Sequence, residues 1–225
     1  MKIPYAVLFD MDGTLLMTEQ LATPAFKRTF ADLRDRKLWD GETPSDEQFT
    51  NVLGMTIQQL WDTLLPGADR HVKETANEWM LKHEIDLLKE GACELYPGVR
   101  EQLQLLHAEG IALFVASNGL EAYIDAVCEQ FQLKPLFTDL YSAGRFHTKS
   151  KTDLVAKLLA DYPIAQAVMV GDRHSDVEAG KKNGLFTIAC DFGFAKPGEL
   201  EGADAIIRQF SELAAHLPFP MLHHR

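Results

Sequence analysis

Four short apolar runs constrain this chain more than any other feature of it: 5–9 (YAVLF), 111–116 (IALFVA), 167–170 (AVMV) and 185–190 (LFTIAC). They are continuous rather than alternating, which suits strands buried on both faces of a parallel sheet. Helical patterns lie between them. Residues 98–109 place Val99, Leu103 and Leu106 on one face and stop at Gly110, a residue suited to the left-handed position just past a helix. Segments 119–131, 152–161 and 174–183 are amphipathic as well, the last stopping at Gly184. Strands alternating with such helices predict an α/β, doubly wound parallel-sheet (Rossmann-like) core.

Residues 17–91 break the rhythm. They offer no strand and read as helices at about 22–36, 45–52, 56–65 and 68–90, broken at Thr43-Pro44-Ser45 and Leu65-Pro66-Gly67. An all-helical segment inserted after the first strand is expected to form a cap over the sheet edge. The expected division is therefore a core of 1–16 and 92–225 and a cap of 17–91, with 218–225 as a tail. With 46% hydrophobic and 24% charged residues, disorder and low complexity are excluded. The balance of 22 Lys+Arg against 33 Asp+Glu gives −11, a field that repels nucleic-acid polymers and anionic membranes. Cys93, Cys128 and Cys190 form no CxxC pair and read as buried small hydrophobes. No apolar stretch approaches the roughly 18 residues of a membrane span, and the first apolar run is too short and too acidic at its end for a signal peptide. A cytoplasmic protein, monomer or homodimer, is expected.

Three of the runs end in polar clusters. The first opens into Asp10-Met11-Asp12-Gly13-Thr14, two carboxylates at the carboxyl edge of the sheet, where open α/β folds bind ligands. A strand-end turn with one surface acid is the plainer explanation, but such a fixed string arises by chance roughly once in a thousand chains of this length. The second ends in Ser117-Asn118-Gly119; helix capping explains these residues as well as phosphate binding does. Lys149 and Lys151 precede a helical pattern, and a phosphate site built from carboxylates needs a fixed cation. The fourth cluster, Gly171-Asp172-Arg173-His174-Ser175-Asp176, adds two acids, one of which also suits a helix N-terminus. Four carboxylates at one edge repel one another. A hard divalent cation relieves that repulsion, and Mg²⁺ suits carboxylates shared with a substrate phosphate.

These four clusters, in this order, resemble the motifs of the haloacid dehalogenase superfamily of phosphohydrolases with a helical type 1 cap, the phosphoglycolate phosphatases among them. The resemblance implies a Mg²⁺-dependent phosphatase of small phosphorylated metabolites: phosphoglycolate, sugar phosphates or nucleoside monophosphates. It implies Asp10 as the nucleophile that forms an aspartyl-phosphate and Asp12 as general acid and base. Thr14, Ser117 and Asn118 would bind phosphoryl oxygens, and Lys151 would neutralise charge. Asp10, the Asp12 backbone carbonyl and Asp172 would hold the metal, supported by Asp176. Lys149 rivals Lys151, which is preferred because Asp153-Leu154-Val155 follows it as the helix start does in relatives. Met17-Thr18 stands where those relatives carry Asp-Ser, and Thr152 where they often carry proline.

Asp12 argues against dehalogenase and phosphonate-hydrolase chemistry, and the lack of histidine in 15–30 makes sugar-phosphate mutase a minor alternative. A phosphoprotein phosphatase and a non-catalytic binding protein on the same scaffold are also less favoured than the small-molecule phosphatase. In the cap, Phe49, Met55, Trp61, Trp79 and Arg28 are candidates to face the pocket, although packing between cap helices is the better expectation for the aromatics. Leu53-Gly54-Met55-Thr56 is the stronger candidate because glycine lets a loop approach a ligand. His71, His83 and His107 are spaced as ordinary helix-face residues and are assigned no function.

Overall fold

The computed structural model describes residues 2–192 and 195–220. Within them, six strands form one parallel sheet in the order β3-β2-β1-β4-β5-β6: β1 (Ile3–Phe9), β2 (Ala112–Ser117), β3 (Asp139–Ser142), β4 (Ile164–Gly171), β5 (Phe186–Cys190) and β6 (Ala205–Ile207). The continuous apolar runs are the four inner strands, as expected. Alternate residues of β1 explain why its run has no polar gap. Val7 and Phe9 enter the core on one sheet face, and Ala6 and Leu8 enter that on the other. Helices α5 (Val99–Ala108) and α6 (Glu121–Gln130) cover the first face. Helices α8 (Lys151–Asp161) and α9 (His174–Lys182) cover the second, and α7 (Ala143–Phe146) is one short turn after β3.

Two strands escape the sequence pattern, and both are edges. β3 has four residues and β6 three, and Ile206 of β6 is 44% exposed. Too few of their residues are buried to write a continuous apolar run. The three cysteines are buried and unpaired. The expected tail begins inside the fold, because Phe219 is buried and stacks on Tyr5 with ring centroids 4.7 Å apart; residues 221–225 of that tail lie outside the described residues.

The chain leaves the sheet after β1 and builds α1 (Glu19–Asp35), α2 (Asp46–Thr50), α3 (Ile57–Leu64) and α4 (Arg70–Lys89) before it returns. The departing and returning segments pair with each other: Met17 N–H donates to the Glu94 carbonyl and Tyr96 N–H to the Leu15 carbonyl, both at 3.0 Å. Leu21, Ala22, Ala25, Phe26, Thr29, Phe30 and Leu33 make one buried stripe on α1, the helical period expected of a face packed on a neighbour. That stripe meets α4, and Phe26 stacks on Phe49 at 4.1 Å. The helical core runs without a break into the α5/α6 side of the sheet core through Leu15, Leu16, Cys93 and Tyr96. No helix among the described residues is long and apolar enough to cross a membrane. The last short helix, α10 (Leu213–His216), packs beside α5.

Phe26 is fully buried, and truncating such a ring leaves a cavity as well as losing its burial. Phe26→Ala should cost about 3–5 kcal/mol in urea unfolding, whereas Ile206→Ala at the exposed edge should stay within about 0.5 kcal/mol. Equal costs would contradict the packing described.

Candidate active site

In a sheet ordered 3-2-1-4-5-6, the connections run outward in one direction after β1 and in the other after β4, so β1 and β4 flank the point where ligands bind in such folds. Phe9 pairs in register with Val115 on one side and Val170 on the other. The residues at the ends of these strands, Asp10, Ser117 and Asp172, therefore emerge at the same edge.

Asp10 is buried there. Its Oδ1 accepts from Met11 N–H at 2.9 Å, and its Oδ2 lies 2.7 Å from Lys151 Nζ. Lys151 is the first residue of α8, whose N-cap Ser150 accepts from Asp153 N–H at 3.1 Å. That cap fixes the helix start and sends the lysine inward to donate to Asp176 Oδ1 at 2.5 Å as well. Lys149 is exposed, so of the two rival lysines the one that reaches Asp10 is Lys151. Burial opposes its charge, but Asp10 and Asp176 outweigh burial and hold its pKa above the ordinary lysine value.

Asp172 completes the cluster. Carboxylate oxygens of Asp10, Asp172 and Asp176 lie within 4.8 Å of one another, all buried. Two glycines make room for it. Gly13, at φ +74°, would place a Cβ 2.3 Å from Asp172 Oδ2, and Gly171 would place one 2.2 Å from Asp176 Cγ. Burial first, and then repulsion within the cluster, raises Asp172 well above the usual carboxylate range. Burial likewise pushes Asp10 to about 7 against the pull of Lys151. Asp176 also serves its helix, since Oδ2 accepts from Arg173 N–H at 2.9 Å. A buried set of three carboxylates, all hard oxygen donors, fits a divalent cation.

Asp12 stands apart from that set. Its Oδ1 accepts from Thr18 Oγ1 and from Tyr123 Oη, each at 2.7 Å. Burial nevertheless wins over these bonds and raises its pKa. Other expected residues are placed less simply. Thr14 is fully buried and donates to Asp172 Oδ1 at 3.0 Å. Ser117 Oγ accepts from Gly119 N–H at 3.2 Å. Neither Ser117 nor Asn118 caps α6, whose N-cap is Leu120. Asn118 spends its amide on the Gly54 carbonyl at 2.8 Å, tying the sheet edge to the helical segment.

A pocket opens from Asp10, Asp12, Ser117, Asn118 and Lys151 toward the helices. Phe49, Leu53, Gly54, Met55 and Trp61 line it, as does Glu84, which no sequence motif singles out. Trp79 and Arg28 do not: Arg36 lies over the Trp79 ring at 5.2 Å, and Arg28 pairs with Glu90 at 3.4 Å. Among the histidines, His83 pairs with Asp32 at 2.8 Å. Thr18, Tyr123 and Glu84 are residues of the pocket that the sequence motifs miss, and Arg173 lies within the fourth motif but is given no role there. Of the three, only Thr18 carries a signal, its closeness to the first motif. Arg173 Nε lies 3.2 Å from Asp172. Burial, followed by the charge of Asp12, pushes Glu84 up to about 8.

Residues 7–190 match the profile of the haloacid dehalogenase-like hydrolases. The chain is 30% identical over 222 residues to protein CbbY of Cereibacter sphaeroides, covering 92% of this chain and 93% of that one. It is 27% identical over 232 residues to a phosphoglycolate phosphatase of Rhodospirillum rubrum, covering 97% and 92%. Among solved structures, CbbY from Rhodobacter sphaeroides in complex with xylulose-1,5-bisphosphate superimposes with a TM-score of 0.79 at 26% identity, covering 93% of this chain and 96% of that one.

Lys151 holds Asp10 and Asp176 together, and removing one partner of a buried ion pair costs about 3–5 kcal/mol. Lys151→Met should lose stability of that order in metal-free urea unfolding. The pH dependence has a fixed sign. Asp10 sits at about 7 rather than 3.8, so the folded chain holds this proton more tightly than the unfolded one. Stability therefore falls as pH rises from about 4 through about 7. Without Lys151 the acids are harder still to ionise, so the deficit of the variant should be larger at about pH 8 than at about pH 5. Equal deficits at both would contradict this electrostatic account.

Proposed function

The chain belongs to the haloacid dehalogenase-like hydrolases, and from that premise we propose that it is a cytoplasmic, Mg²⁺-dependent phosphatase of small phosphomonoesters that works through an aspartyl-phosphate on Asp10. The observation that carries this reading is the setting of Asp10. It stands at the sheet's ligand-binding edge, with a lysine on one oxygen, two further carboxylates within 4.8 Å and, two residues on, a second acid whose environment favours its protonated form.

In this reading the carboxylates of Asp10 and Asp172 and the backbone carbonyl of Asp12 would hold the metal, with Asp176 supporting it. The cation, when bound, supplies the positive charge that lets nucleophile and phosphoryl oxygens approach. The remaining chemistry belongs to the chain. Asp10 attacks phosphorus and forms the acyl phosphate while the ester oxygen departs. Asp12 gives its proton to that oxygen. Its Oδ1 is occupied by Thr18 and Tyr123, so the transferable proton sits on Oδ2. Asp12, now ionised, then takes a proton from the water that cleaves the aspartyl-phosphate, and both residues return to their starting states. Lys151 neutralises charge on the phosphoryl group, Ser117 and Asn118 border it, and Thr14 holds Asp172 in place.

We read 1–16 and 92–225 as the catalytic core and 17–91 as the cap that excludes water and contacts the leaving group. The pocket that joins Asp10, Asp12 and Lys151 to the apolar side chains of Leu53, Leu60 and Trp61 supports a small phosphorylated metabolite as partner. Phosphoglycolate, sugar phosphates and nucleoside monophosphates are the candidate classes.

The test is turnover of p-nitrophenyl phosphate. EDTA should abolish it and Mg²⁺ restore it. Asp10→Asn should lose at least about a thousandfold in kcat while keeping its unfolding transition, and Asp172→Asn should weaken Mg²⁺ activation more than Asp176→Asn does. Full turnover in metal-free buffer, or near-wild-type turnover by folded Asp10→Asn, would contradict the proposal.

A further inference from the structure

One face of α4 forms the roof of the cavity. Asn77, Met80, Leu81 and Glu84 all line it, at the i, i+3, i+4 and i+7 spacing that puts four side chains on one side of a helix. Around them the cap contributes apolar wall, chiefly Leu53, Ile57, Leu60 and Trp61. Asn77 is accounted for, because its Oδ1 accepts from Trp61 Nε1 at 3.1 Å. Glu84 is not. Among the described residues its carboxyl has neither a hydrogen bond nor an ion pair, and the charge it senses is that of Asp12. Glu84 is half-buried, and an acid partly withdrawn from water against apolar wall without a partner costs stability, so packing does not explain its presence.

The charges of the cavity point the same way. Among the described residues its one cationic side chain is Lys151, already 2.7 Å from Asp10 and 2.5 Å from Asp176. Of the other basic side chains on α4, Arg70 pairs with Glu74 and Lys73 with Asp62, and Lys82 is exposed and does not line the pocket. A second phosphate or a carboxylate on the leaving group would meet Asp12, Glu84 and apolar wall, with no free cation among the described lining residues. A hydroxyl-bearing leaving group would meet carboxyl oxygens ready to accept.

Resting on the phosphatase reading, we propose that Glu84 is the specificity-determining residue of the cap and that the substrates are monophosphate esters of uncharged, hydroxyl-bearing alcohols. Phosphoglycolate and bisphosphates carry a second anionic group for which the described lining residues hold no free cation, and are disfavoured. Selection of this kind acts on the transition state through the leaving group, where binding energy counts toward rate.

The experiment compares kcat/KM of wild type, Glu84→Gln and Glu84→Lys on glycerol phosphate and a hexitol monophosphate against phosphoglycolate and xylulose bisphosphate. Wild type should favour the uncharged leaving groups by about tenfold or more. Glu84→Gln should narrow that gap, and Glu84→Lys should reverse it, losing on the polyol esters while gaining on phosphoglycolate. A gain on one class with a loss on the other cannot come from a damaged fold. Should Glu84→Lys fail to fold, the wild-type ratio and its change in Glu84→Gln decide. The proposal is overturned if wild type handles phosphoglycolate as well as glycerol phosphate, or if the ratio is unmoved in every folded variant. Failure of wild type to hydrolyse even p-nitrophenyl phosphate with Mg²⁺ would instead overturn the phosphatase reading and this inference with it.

Discussion

Like charges held together at the middle of a parallel sheet dominate this structure. Asp10, Asp172 and Asp176 bring carboxylate oxygens within 4.8 Å of one another in a buried place, an arrangement that water cannot relieve. The chain's answer is Lys151, which reaches two of the three acids. Much local architecture serves that contact. The Ser150 cap starts α8 where the lysine can turn inward. Gly13 and Gly171 leave the space that Asp172 and Asp176 fill. Thr14 and Arg173 hold Asp172 from two sides. One lysine does not balance three acids, and the residual negative charge suits the site to a divalent cation.

The helical segment extends this polar centre rather than merely covering it. Its core continues into the sheet core at the paired segments around Leu16 and Leu95. The Gly54 carbonyl receives Asn118 from the opposite side of the cavity. Tyr123 of α6 and Thr18 at the root of α1 share one oxygen of Asp12, so the acid proposed to handle the leaving-group proton is oriented by both parts of the molecule. Asp12 and Glu84 line the same pocket, so the proposed proton transfer would take place beside the proposed contact with the leaving group.

Much of this is legible in the residues, for a physical reason. The inner strands are buried on both faces, so their sequences are continuous apolar runs, and three of the motifs sit where those runs stop. Edge strands are half exposed and short, which is why Asp139–Ser142 and Ala205–Ile207 leave no pattern. The rivalry between Lys149 and Lys151 turns on where a helix starts, which the Ser150 cap settles in space. Thr14 is expected against phosphate, and its contact with Asp172 joins residues 158 positions apart. The contact of Tyr123 with Asp12 joins residues 111 positions apart, a distance no local pattern spans. Glu84 is one of several acids on α4, alongside Glu74, Glu78 and Asp86, and only the helix phase relative to the cavity distinguishes it.

The account turns on Asp10 as the atom-bearing partner of the phosphoryl group. The most direct test is rapid acid quenching during turnover of p-nitrophenyl phosphate with Mg²⁺, followed by peptide mass mapping. The account predicts a phosphoryl group on the peptide that contains Asp10, removable by hydroxylamine as an acyl phosphate must be. Steady turnover with no phosphorylated peptide, or with the phosphoryl group on another residue, would contradict it.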